Sequence, residues 1–253
     1  LGLARHFGDV DFAALSDASD AVYFTLRPFF IQYAGGWSIA IAVVASVLLA
    51  VAVAARRGTG ARSVRSLARG AGVAVLATLV ATIATTVAWL LVTVLRATPS
   101  VPESYLYLVC LLGGGAALGI WLGSRLSGPE PAGRFGFVLV WVMLGLLTAF
   151  AAPGFSYLFT LPALTGAIAL NWDPGTNKAA ALARFALVAA PTVVLLTPTV
   201  DFFFQMGQPR PGNLDSSIPA TAAVALLLAF LAAGLVAGVW PNVPGALRQE
   251  TSA

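Results

Sequence analysis

Residues 71–95 read AGVAVLATLVATIATTVAWLLVTVL, 25 positions without a charged side chain, closed off by Arg69 on one side and Arg96 on the other. A helix rises about 1.5 Å per residue, so roughly 20 apolar residues cross the hydrocarbon core of a bilayer. This stretch is long enough by itself. Working outward, six more apolar runs follow the same logic: 37–55 and 104–122 on either side, then 135–152, 156–170, 179–200 and 219–240. The run at 156–170 is the shortest and contains Pro162. It would have to sit in a thinned region or be held against its neighbours. The expectation is an all-α integral membrane protein, a bundle of about seven transmembrane helices.

Composition agrees. Hydrophobic residues make up 59% of the 253 and charged residues 9%, with a mean hydropathy of +0.89. A soluble domain carries about a quarter charged residues, and this chain could not cover a water-facing surface with so few. Cys110, the only cysteine, excludes an internal disulfide and a cysteine-based zinc site; inside an apolar run it reads as an inert buried thiol. The pI near 9.7 comes from arginines between apolar runs. That pattern is an orientation signal rather than a nucleic-acid surface, and no nucleic-acid partner is expected.

The arginines orient the bundle. With the loop carrying Arg56, Arg57, Arg62, Arg65 and Arg69 in the cytoplasm, seven crossings put Arg125, Arg134, Lys178, Arg184 and Arg248 on the same side. Ten of the 14 basic residues are then inside, and Arg5, Arg27, Arg96 and Arg210 are outside. The N-terminus falls outside and the C-terminus in the cytoplasm, as the positive-inside rule asks. Omitting the fifth crossing would move Lys178 and Arg184 outside. Ahead of the first run, 21–33 is apolar but too short to cross. Tyr23, Phe24, Phe29, Phe30, Tyr33 and Trp37 read there as an aromatic belt at one interface. The stretch 201–217 reads as an interfacial loop rich in Pro, Gly and Asn. The chain opens at Leu1 without a basic and then apolar leader. An outside N-terminus would need something upstream to carry it across.

Candidate chemistry is sparse, and no catalytic, cofactor-binding or metal-ligating residue is assigned. No ionisable residue falls in the middle of a run, which argues against a carrier coupled through a buried carboxylate. Thr78, Thr82, Thr86, Trp89 and Thr93 share one helix face; threonines bonding their own backbone explain it better than a polar lining. Gly115, Gly119 and Gly123, and likewise Gly234 and Gly238, repeat every four residues and read as packing faces within the chain. His6 with Asp9 and Asp11 falls short of a zinc site and reads as a solvated polar face. Asp201, beside Phe202, Phe203 and Phe204, reads as a solvated carboxylate at a helix end. The GAGV after Arg69 is too short and apolar for a phosphate loop, and no nucleophile–histidine pair appears.

Two stretches, LARHFGD with DAVYF (3–9 and 20–24) and PGFSYLFTLPAL (153–164), carry a likeness. Together they resemble the C-terminal part of the vacuolar membrane protease or endoplasmic reticulum metallopeptidase family, membrane-anchored zinc aminopeptidases with bacterial members. The resemblance implies that 1–12 is the tail of an extracytoplasmic peptidase domain, 13–36 an interfacial segment and 37–253 the transmembrane domain. It implies two zinc ions in the upstream domain and none in this chain, whose positions match no ligand of that family. The Ala, Gly and Arg bias suggests a bacterial plasma membrane. The expected partners are the bilayer and the upstream domain of the same chain. The alternative is a stand-alone permease or an accessory membrane subunit of an envelope complex.

Overall fold

The computed structural model describes residues 21–26, 29–55, 64–96, 101–127, 132–173, 175, 177–206 and 218–239. A hairpin of β1 (Ala21–Leu26) and β2 (Phe29–Ala34) leads into seven helices. These are α1 (Gly36–Ala55), α2 (Val64–Arg96), α3 (Val101–Ser127), α4 (Ala132–Ala151), α5 (Tyr157–Asn171), α6 (Lys178–Met206) and α7 (Ile218–Val239), with a 3₁₀ turn, Pro153–Phe155, between α4 and α5. Each expected apolar run lies within or nearly within a helix. α1, most of α2 (Leu67–Leu95) and α6 are long and apolar enough to cross a membrane; shorter apolar stretches lie in the other four.

α5 is the shortest helix and also the central one. It packs against α1, α4 and α6, and less closely against α7. Leu158, Thr160, Pro162, Ala163, Gly166, Ala167, Ala169 and Leu170 are buried, which leaves it little outward surface. At 15 residues it is roughly 22 Å long, shorter than the three helices long enough to cross a membrane. Its end is tied down where Asn171 donates through Nδ2 to the Leu48 carbonyl of α1 and to Ala167, both at 2.9 Å. α2 and α7 build the other half, packing on each other and on α4, while α3 sits at the edge against α2 and α7.

Glycines set the closest crossings. A Cβ on Gly136 would overlap the backbone of Gly70, so α4 meets α2 there at backbone distance. Gly115 receives the Phe230 ring, and Gly234 the Phe137 ring. The expected small-residue faces on α3 and α7 are thus packing faces within the chain at these two positions. The surroundings of Gly123 and Gly238 lie outside the described side chains.

Three expectations need correction. The fold is not purely helical. The segment read as an aromatic belt forms an antiparallel hairpin over 21–34, with Ala21 opposite Ala34 and Leu26 opposite Phe29. Its β-branched and aromatic content favours an extended, half-covered ribbon. Asp201 is not at a helix end, because α6 runs on to Met206 through a stretch expected to be loop. Gln205, one turn on, donates to the Asp201 carboxylate at 2.9 Å. Cys110 is exposed, because edge helix α3 turns that face away from its neighbours. Arg184, which no expectation singled out, is charged yet only 6% exposed. It lies at the foot of the α6 stripe that continues through Val188, Thr192, Leu195, Val200 and Phe204, so it faces the bundle.

Candidate functional site

Four of the eight buried polar side chains among the described residues, Thr78, Thr82, Thr85 and Thr192, bond back to their own helices. Thr78 donates to Ala74, Thr82 to Thr78 and Thr93 to Leu90, each at 2.8 Å. Three of the four threonines on this face of α2 are therefore backbone-satisfied, whereas the buried Thr86 Oγ1 has no hydrogen-bond partner. Thr85, between Thr82 and Trp89 on the buried side, donates to Ala81 at 2.7 Å. It lies three residues after Thr82 and four before Trp89, so it belongs to this face as well, although the expectation named its neighbour Thr86.

Aromatic side chains fill the interior. Trp89 of α2 packs against Tyr107 of α3 and Phe204 of α6, with ring centroids 6.3 and 5.0 Å away. Trp141 of α4 lies 5.6 Å from the Phe159 ring of α5, and its indole Nε1 donates to the Leu231 carbonyl of α7 at 3.1 Å. That carbonyl already serves its own helix, so the indole takes its second lone pair. Trp89, Trp141 and Phe204 are among the most deeply buried large side chains.

Hydroxyls gather at one end of the bundle. Ser38, in the first turn of α1, and Ser156, just ahead of α5, are both completely buried. The Ser156 hydroxyl is 2.6 Å from Ser38 Oγ and 2.6 Å from the Pro153 carbonyl, and its single proton can serve either. Ser38 in turn donates to the Tyr33 hydroxyl of β2 at 3.3 Å. Three hydroxyls thus link the neighbouring elements β2 and α1 to the turn ahead of α5, 118 residues further along the chain. β1 closes the cluster by packing on the turn Pro153–Phe155, and Val22 is fully buried.

Thr160, one turn into α5, is also fully buried, and its Oγ1 has no hydrogen-bond partner. A helical threonine commonly donates to the carbonyl four residues back. Here that carbonyl, on Ser156, already accepts the Phe159 N–H at 3.0 Å and the Thr160 N–H at 2.8 Å. Its acceptor capacity is used up.

Among the described residues, no three His, Cys, Asp or Glu side chains lie close enough to hold a metal ion. The described residues therefore fit neither of the zinc ions that the family likeness implies. His6, Asp9 and Asp11 lie outside the described residues. Of the stretches that carried the likeness, 3–9 also lies outside them, whereas β1 from 20–24 and the turn from 153–164 are brought together. This contact was not legible in either stretch alone. Comparison with protein-family models, with curated proteins and with solved structures gives no match to this chain.

Proposed function

We propose that this chain is a membrane-embedded anchoring domain of seven crossings, with its N-terminus outside and its C-terminus in the cytoplasm. We further propose that it serves an extracytoplasmic zinc aminopeptidase of the family it resembles, in a bacterial plasma membrane. One observation carries the reading. β1 and the turn 153–155, which belong to the two stretches behind the likeness, pack against each other over more than a hundred residues of sequence. They form a shared surface at the end of the bundle from which the N-terminal chain departs. The filled interior around Trp89, Trp141 and Phe204 favours an anchor over a permease, since it leaves the bundle packed through its middle.

The experiment is to extend the reading frame upstream of Leu1. The proposal expects a signal-anchor helix followed by a soluble α/β domain. That domain should bear the His, Asp and Glu ligands of a two-zinc site, and the full-length protein should release N-terminal residues from peptides in a chelator-sensitive way. An upstream frame that opens with Met within a few dozen residues and encodes no such domain would sink the peptidase reading. The alternative, a stand-alone permease or an accessory membrane subunit of an envelope complex, would then replace it.

A further inference from the structure

We infer that the Tyr33–Ser38–Ser156 hydroxyl relay is a latch that couples the position of the N-terminal hairpin to the first turn of central helix α5. The hairpin is where the chain ahead of Ala21 joins the bundle. β2 abuts the start of α1, and β1 rests on the turn Pro153–Phe155, which leads directly into α5. Across this junction the polar connection runs from Tyr33 through the fully buried Ser38 to the fully buried Ser156. Buried hydroxyls in apolar surroundings hold their partners firmly, because losing one leaves a polar group unsatisfied.

The receiving end is positioned to respond. The Ser156 carbonyl accepts both the Phe159 and Thr160 amides, so a shift of Ser156 disturbs the first two helical hydrogen bonds of α5. Pro162 lacks an N–H and so leaves the Leu158 carbonyl without its helical donor, which makes this end of α5 the weaker end. α5 touches α1, α4, α6 and α7, so a change at its start reaches most of the bundle. The device works equally whether the preceding chain is a peptidase or something else.

Hydrogen exchange on the whole chain in lipid nanodiscs tests the coupling. In a Tyr157→Phe background, which removes the α5 hydroxyl that Tyr33 also acts on, Tyr33→Phe removes the hairpin end of the relay alone. It should speed amide exchange at 156–160 by about fivefold, the factor one net hydrogen bond is worth. Ser156→Ala should speed exchange in 21–26 and 29–34 by a similar factor, and Ser156→Thr should restore it. Thr148→Val, which removes a hydroxyl bonded to its own helix at Leu144, should leave both regions at the native rate. Acceleration that stays on the mutated side, no acceleration at all, or equal acceleration extending through α7 would each overturn the latch.

Discussion

Trp141 and Thr160 face similar interiors with opposite consequences. The Trp141 indole links α4 to α7 through the Leu231 carbonyl. Trp141→Phe keeps a ring against Phe159 but removes the donor and part of the buried area. Unfolding in a fixed detergent should show a loss of about 1–3 kcal/mol. Thr160 holds a hydroxyl with no partner. Thr160→Val replaces it with a methyl of nearly the same shape, so the variant should unfold at the same temperature as the parent or a few degrees higher. A clear destabilisation would mean that this hydroxyl has a partner. Neither residue was legible as special. An apolar run holds exposed tryptophans such as Trp121 as well as buried ones, and it does not say which carbonyl a buried one meets. Thr160 is unsatisfied only because of the turn at 153–156, whose geometry the local pattern does not encode. The serines of the latch were hidden for the same reason: Ser38 and Ser156 are 118 residues apart.

At the scale of elements, close helix crossings concentrate at particular glycines. Gly136 lies against the Gly70 backbone, where no side chain can move aside, whereas Gly113 has nothing within 4 Å of where a Cβ would stand. Gly136→Ala should therefore push α4 from α2 and cost several kcal/mol of stability. Gly113→Ala should be neutral or stabilising by up to about 1 kcal/mol, since alanine is the better helix former. Equal thermal shifts for the two would contradict the crossing. Helix existence was legible because apolar length is a strong signal. Helix ends were less so. α2 starts ahead of its apolar run and takes in Arg65 and Arg69, and α6 extends through Asp201, since charged residues can continue a helix beyond the apolar span. Pro191 and Pro198 do not end α6. Pro191 frees the Leu187 carbonyl and Pro198 the Val194 carbonyl, and proline is tolerated within membrane helices where neighbouring helices and local adjustments take up the freed backbone. The hairpin was missed because a run of aromatic residues ahead of a membrane helix reads equally well as an interfacial belt.

Viewed whole, the molecule is apolar inside and outside. Val43, Val47, Ile83, Val94, Leu147, Phe150 and Val193 are large apolar side chains turned outward from four different helices. A water-soluble protein rarely exposes so much contiguous apolar surface, and a bilayer is the solvent that suits it. The number of crossings can be tested through the charges. With seven, ten of the 14 basic residues lie in the cytoplasm, and the turn between α5 and α6 lies there too. Reporter fusions after Arg65, Gly128 and Gly175 should then report cytoplasm, and fusions after Thr98 and Gly212 the exterior. Gly175 is the decisive position. α5 is only 15 residues long, so if it entered and returned on one face, the turn at Gly175 would emerge outside with Lys178 beside it. α6 would then run inward and leave the loop at Gly212 in the cytoplasm. An exterior signal at Gly175 together with a cytoplasmic one at Gly212 removes the fifth crossing. A cytoplasmic signal at Gly175 with an exterior one at Gly212 requires α5 to cross.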